Sequence, residues 1–330
     1  MIHPDLPLVE LHRHLDGSVR LATILELGQQ YHLPLPADSL AGLRPYVQVT
    51  EPQPGVMAFI EKFHWMTAVM VNADAIYRIA YENVIDLRQE GITYAELRFS
   101  PLFMAEAHQL DPLLVIDAVI AGAQAAASES GVQVNLIGII SRTYGVEKGW
   151  TELNAILARK AAFCGVDLAG DEYHFPGDLF VPHFKTVRDA GLHITIHAGE
   201  ARGPESIWQA IQGLGAERIG HAVSAPQDPA LMAYMAENKI AVEVNLTSNV
   251  QTSTVPSYRE HPLKQFLAAG IPVSLNTDDP GISAIDLPYE YNLAAPAAGC
   301  WPADTRKIQS DALQSAFMEE NLRERLFASH

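Results

Sequence analysis

The chain has 330 residues, 48% hydrophobic and 18% charged, a composition that suits a compact fold with a sizeable core and excludes a disordered chain. Against 22 Lys+Arg stand 39 Asp+Glu, a formal charge of -17, so most of the surface repels phosphate backbones and anionic lipid, and neither nucleic acid nor a membrane is an expected partner. Two cysteines, Cys164 and Cys300, exclude a disulfide framework and a cysteine-rich zinc site and are compatible with a reducing compartment.

In chain order, the opening Met1-Ile2-His3-Pro4-Asp5 has no basic region before an apolar run, so no secretory signal is read and a cytoplasmic protein is expected. Short apolar β-branched runs then alternate with longer helical patterns, the signature of repeated β-α units around a parallel sheet. Strands are predicted at Leu8 to His14, Tyr94 to Phe99, Val134 to Ile140, Val166 to Ala169, His193 to His197, Arg218 to His221, Ala241 to Asn245 and Pro272 to Asn276. Helical patterns fill the intervals at Leu21 to Tyr31, Ala73 to Glu90, Leu113 to Ser130, Glu152 to Phe163, Phe180 to Ala190, Glu205 to Leu214, Pro229 to Glu237 and Pro262 to Ala269. Eight strands predict an α/β fold, a (β/α)8 TIM-type barrel with extra helices, as one domain over residues 1–330. The Pro-rich stretch Leu33 to Pro54 reads as a lid-like insertion after the first strand. Beyond Pro280 the pattern weakens until a helical tail from about Thr305. The longest uncharged windows, around Ala118 to Ser128 and Gly131 to Ser141, are too short to span a bilayer, and nothing points to an obligate protein partner.

In such a barrel the reactive groups sit where strands end. His12 and His14 are two apart at the end of the first strand, so both rings project to one side. His197 closes the fifth strand, His221 the sixth, and Asp278-Asp279 follow the eighth. Three histidines and a carboxylate on one rim can form a tight N/O site for a divalent ion, zinc above all, with a position left for water. Glu200, in Ala198-Gly199-Glu200, is then a carboxylate able to carry a proton beside the metal without binding it. His221, if the other groups fill the site, is free to orient the attacking water.

The segments Val9-Glu10-Leu11-His12-Arg13-His14-Leu15-Asp16-Gly17, His197-Ala198-Gly199-Glu200, Gly220-His221 and Ser274-Leu275-Asn276-Thr277-Asp278-Asp279-Pro280 resemble the successive motifs of bacterial-type adenosine deaminases, in order and with their spacing. Asp167-Leu168-Ala169-Gly170-Asp171-Glu172 and Gly203-Pro204-Glu205-Ser206-Ile207-Trp208 extend the similarity, which covers about residues 6 to 300. The resemblance implies one Zn2+ held by His12, His14, His197 and Asp278, and Glu200 as the donor of a proton to purine N1 while hydroxide attacks C6. It implies that His221 positions the hydroxide, that Asp278 also holds that oxygen, and that Asp279 bonds N7. The Gly170 N–H would reach N3, Asp16 a ribose hydroxyl and His14 the vicinity of the sugar, with Phe59 and Phe63 as an apolar gate over the ribose. The implied reaction is hydrolytic deamination of adenosine and 2′-deoxyadenosine, with release of ammonia, in purine salvage.

Other readings of the same residues stand beside these. His32, His64, His108, His174 and His261 read as ordinary surface or hydrogen-bonded histidines. Phe59 and Phe63, at i and i+4, also fit plain core. Glu96 and Arg98 share a face of the second strand and Glu243 lies on the seventh; either they support the rim as paired charges or the strand faces are misassigned. Ala222 stands where the family usually has glycine and Asn245 where it commonly has cysteine, departures that bear on substrate preference and turnover. A sister aminohydrolase acting on adenine, an N6-substituted adenine nucleoside or another aminopurine is the alternative within the superfamily. A catalytically silent nucleoside-binding protein is the alternative outside it.

Overall fold

A computed structural model of the chain describes residues 1–49 and 51–329; Thr50, inside the expected lid, and His330 lie outside the described residues. Eight strands, β1 (Val9–His14), β2 (Tyr94–Phe99), β3 (Gln133–Ser141), β4 (Phe163–Ala169), β5 (His193–Ala198), β6 (Arg218–His221), β7 (Ala241–Val244) and β8 (Val273–Leu275), pair in chain order and every pair is parallel. The ring returns on itself where Arg13 bridges Asp278: His14 N–H donates to Asp278 O at 2.8 Å and Asp278 N–H to His12 O at 2.9 Å. This is the expected (β/α)8 barrel. Its strands are buried on both faces, by the barrel interior on one side and the helices on the other, which is why they read as apolar runs and not as alternating ones.

Side-chain caps start several of the connecting helices where polar residues precede apolar runs. Asn72 accepts the Ala75 N–H ahead of helix Ala73–Gln89, Asp111 that of Leu113 ahead of Pro112–Ser130, and Asp228 those of Ala230 and Leu231 ahead of Pro229–Glu237. Helix Pro112–Ser130, in which Asp117 and Glu129 bound the uncharged stretch, is long and apolar enough by length and composition to cross a membrane, with mean hydropathy 1.3 over an 18-residue window. Its apolarity has a packing explanation. Val115, Ile116, Val119, Gly122, Ala123 and Ala126 are buried, and Gly122 lets the helix lie directly against the Tyr77 carbonyl of helix Ala73–Gln89.

Three expected boundaries move. The helix after β3 runs over Gly145–Ala158 and not from Glu152 to Phe163, because Phe163 opens β4 by pairing with Leu136 and because Gly145 and Gly149 are tolerated inside the first turns. The Leu33 to Pro54 stretch carries helix Leu40–Val47, capped by Ser39, and the part of the insertion that leans over the barrel mouth comes after it, at Val56–Ile60 and Glu61–Phe63. Beyond Pro280 short helical turns lead to two helices, Pro302–Ser315 and Glu320–Ala328, in place of one tail. Ala312 and Leu313 of the former, with Ala316 just after it, join Val9, Leu11 and Tyr94 in a small cluster separate from the main core.

Candidate active site

The barrel interior beneath the strand ends is charged. Arg98 on β2 reaches Asp167 on β4 at 2.8 Å and Glu243 on β7 at 2.9 Å, while Arg218 on β6 reaches Glu243 at 2.7 Å and Glu96 at 2.5 Å. All five are buried. An uncompensated ion at such depth costs several kcal/mol, so mutual pairing is the condition for their presence. Glu96, Arg98 and Glu243 therefore point inward as paired charges, and the strand faces were read in the right phase.

Two of these carboxylates extend the network upward to the rim. Glu243 Oε2 lies 2.6 Å from His12 Nδ1, and Asp167 Oδ2 lies 2.9 Å from His197 Nδ1. Burial opposes ionisation of Glu243, but Arg98 and Arg218 outweigh it and hold the carboxyl well below the usual range. At Asp167 the same opposition is overcome by His197 and Arg98. Each anion thus accepts a hydrogen bond from one ring nitrogen, which fixes the proton on Nδ1 and turns a bare Nε2 lone pair toward the cavity.

There the donors converge. His12 Nε2 and His14 Nε2 lie 3.1 and 3.3 Å from the same oxygen, Asp278 Oδ1, and His14 Nε2 lies 3.2 Å from His197 Nε2. Among the described residues His12 Nε2 has no hydrogen-bond partner although the side chain is fully buried. Lone pairs that face one another with no proton to share are repulsive, and a cation between them removes the repulsion. The N3O set therefore fits a divalent metal ion. His221 is also close enough to form a group with His12, His197 and Asp278. Its Nδ1, however, faces the side-chain nitrogens of Asn249 at 2.9 Å and Asn245 at 3.3 Å, not a carboxylate. Its other nitrogen, Nε2, points to Glu200 Oε2 at 3.6 Å and Asp278 Oδ2 at 3.8 Å. Ser248 Oγ donates to that same Asp278 Oδ2 at 2.7 Å, so the aspartate is held from both sides.

His221, Ala222 and Asp278 all have left-handed backbones, with φ of 66°, 53° and 63°. Each non-glycine residue there costs about 1–2 kcal/mol, a concentration of strain at one rim. Gly220, just before, is required by proximity: a Cβ there would sit 2.9 Å from His12 Cε1.

Glu200 is positioned by a second glutamate. Glu172 accepts the backbone N–H groups of Gly199, Glu200, Ala201 and Arg202 and the hydroxyl of Ser206, pinning the turn after β5. Burial, then the nearby Asp278 and Glu172 charges, raise Glu200 well above the ordinary carboxylate range, the direction that favours its protonated form. Burial and Asp278 raise Asp279 in the same way.

These groups line a cavity of about 300 Å3. Its floor includes His14, Asp16, His197, Glu200, His221, Asp278 and Asp279, and its wall is apolar, with Phe59, Ile60, Phe63, Phe103 and Ile139. Phe63 stacks edge-on against Phe103 at 5.5 Å. Gly170, with φ of 108°, brings its backbone to the edge of the same cavity, where a Cβ would meet Thr143. Asp16 is held by the Ser100 N–H at 3.2 Å, and its Oδ1, with no hydrogen-bond partner among the described residues, lies 3.7 Å from His14 Nδ1. Of the candidate catalytic, metal and substrate-binding residues, all but His12 line this one cavity, whereas Ala222 and Asn245, the two departures from the family pattern, do not. Asp167, Glu172, Arg218, Ser248 and Asn249 were not assigned functional roles from the sequence. For Asp167 and Arg218 the signal was present, as charges inside apolar strands, and Glu172 stood in the motif that begins at Asp167; Ser248 and Asn249, in the short helix Leu246–Gln251, gave none.

A parallel barrel with such a donor set at its strand ends defines a metal-dependent hydrolase. The adenosine deaminase family pattern matches residues 7–329. The chain is 56% identical over 318 residues to an adenosine deaminase of Edwardsiella ictaluri, covering 96% of each, and 53% identical over 328 residues to one of Vibrio cholerae, covering 99% and 98%. An amidohydrolase structure from Burkhoderia ambifaria with bound Zn superposes with a TM-score of 0.89 at 25% identity, covering 98% of this chain and 89% of that one. This chain belongs to the adenosine deaminase family.

Proposed function

We propose that this protein is a zinc-dependent aminohydrolase that converts adenosine and 2′-deoxyadenosine to inosine and 2′-deoxyinosine with release of ammonia, a purine-salvage reaction. The observation that carries the reading is the Glu200 carboxylate, only 10% exposed and 3.6 Å from His221 Nε2, facing the His/Asp donor cluster within one cavity. His12, His14, His197 and Asp278 hold the metal, and the zinc bound in the Burkhoderia ambifaria relative supports the choice of ion. Zinc at that position supplies a nucleophilic water oxygen at neutral pH.

The chain's own residues do the rest. Glu200 donates its proton to purine N1, drawing electrons from C6 as the water oxygen adds there. His221 donates from Nε2 to that oxygen, and Asp278 accepts from it. The C6–N6 bond then breaks, one of the water's protons passes to the leaving nitrogen and the other restores Glu200, and substrate plus water give the 6-oxo product plus ammonia. Asp279, whose carboxyl burial and the Asp278 charge push up, donates to N7, the Gly170 N–H donates to N3, and Asp16 with His14 takes the sugar. Phe59 and Phe63 cover the ribose side and exclude bulk water.

A nucleoside is favoured over a nucleotide. None of the described residues lining the cavity is lysine or arginine, and Glu106 adds negative charge among them, so a 5′-phosphate has no partner. Cys164 and Cys300 are free thiols, which supports a reducing, cytoplasmic setting, and we take residues 1–330 as one domain acting on a small molecule without a protein partner.

A spectrophotometric panel of adenosine, 2′-deoxyadenosine, adenine, AMP and N6-methyladenosine tests the reading, with turnover of the first two expected. Ammonia from none of the five would return the chain to a nucleoside-binding role. Glu200→Gln should retain zinc and lose at least about 100-fold in kcat, the lower range for a removed general acid.

A further inference from the structure

Asn249 and His261 do not line the cavity, yet they connect to His221 through hydrogen bonds whose directions are set from the far end. The Leu263 N–H can only donate, and it lies 3.1 Å from His261 Nδ1. Burial lowers His261 to about 3, so its ring is neutral and the proton is on Nε2. That N–H points at Asn249 at 3.2 Å, which makes the facing atom the amide oxygen and turns the amide nitrogen to His221 Nδ1 at 2.9 Å. His221 Nδ1 is therefore an acceptor, and its proton sits on Nε2, the side of Glu200 and Asp278. Asn245 presents its nitrogen to the same atom at 3.3 Å, but its Oδ1 has no partner among the described residues, so nothing holds that amide from behind. All three members of the relay are buried, His261 at 4% exposure, Asn249 at 0% and His221 at 1%, which leaves water no access to take a partner's place.

Resting on the reading above that His221 holds the attacking oxygen, we infer that His261 is a positioning residue: through Asn249 it locks His221 as the Nε2–H tautomer. The lock has two effects. It makes the ring a donor toward the attacking oxygen, and it withholds the lone pair that would let His221 join His12, His197 and Asp278 as a metal ligand.

Zinc-loaded enzyme carrying nitrogen-15 histidine reports the tautomer without substrate, the His221 resonance being identified by its loss in His221→Asn. Nε2–H is expected in the wild type and in His261→Gln, whose amide both accepts from Leu263 and donates to Asn249. His261→Phe should show a mixture or Nδ1–H. Its kcat should fall about 10–100-fold, the range for lost outer partners, with KM within about twofold and with recovery in His261→Gln. Nδ1–H in the wild type overturns the inference even if no variant folds. An unchanged tautomer in His261→Phe also overturns it, whatever happens to kcat. If the tautomer responds as expected while no aminopurine is deaminated, the proposed function fails and the lock stands.

Discussion

His12 Nδ1 lies 2.6 Å from Glu243 Oε2, the same oxygen that takes a hydrogen bond from Arg98 at 2.9 Å. One buried carboxylate therefore orients a candidate metal ligand and neutralises an interior guanidinium. Glu243→Gln keeps the shape but presents an amide to His12, Arg98 and Arg218. Metal affinity should fall about 10–100-fold, and stability by about 3–5 kcal/mol because two buried cations lose their shared partner. Competition with a chelator and thermal unfolding measure the two effects. Unchanged metal retention would separate His12 from the metal.

Gly220→Ala tests the space beside the same ring. A methyl 2.9 Å from His12 Cε1 has buried imidazole on one side and strand backbone on the other, so the ring must rotate away from Asp278. The expected result is depleted metal with the far-ultraviolet dichroism of the barrel retained, at an overpacking cost of about 1–3 kcal/mol. Full metal occupancy would show that the ring accommodates the methyl in place.

Glu172→Ala removes the acceptor of four backbone N–H groups and one hydroxyl around the turn that carries Glu200. Some of the stranded donors recover water, so the loss should be about 2–3 kcal/mol, not the sum of five bonds. kcat should drop more than the metal content, since the turn moves Glu200 and leaves His12, His14 and Asp278 in place. Parallel loss of metal and activity would contradict that division.

Glu290 gives a pH dependence with a definite sign. Burial raises its carboxyl to about 7, only partly offset by the hydrogen bonds from Thr247, and Oε2 has no partner among the described residues. The folded state thus keeps a proton that the unfolded chain releases above its ordinary value of 4.5. The stabilising contribution is complete below that value and is lost as pH rises through about 7, by about 3 kcal/mol in all. Glu290→Gln should therefore gain melting temperature relative to the wild type at pH 8.5 compared with pH 5.5. A difference that does not change with pH would mean that Glu290 is ionised in the fold.

The order of strands and helices was legible in the sequence because strands buried on both faces must be continuous apolar runs, and because capping residues and glycines mark where helices begin and end. His12, His14, His197, Glu200, His221, Asp278 and Asp279 were legible for a related reason: polar residues at the ends of such runs can only lie on the rim. Less was legible between β1 and β2, where proline masked helix Leu40–Val47.

What the sequence by itself determined was therefore which groups reach the cavity. What each group can do there was decided by the tertiary structure, since the proton on an imidazole depends on the neighbour at its other nitrogen. Glu243 and Asp167 hold it on Nδ1 of His12 and His197 and leave Nε2 lone pairs for a metal, whereas Asn249, turned by His261, gives His221 the opposite polarity. Those neighbours come from strands and loops between 12 and 231 residues apart along the chain, and only the closed barrel brings them into contact.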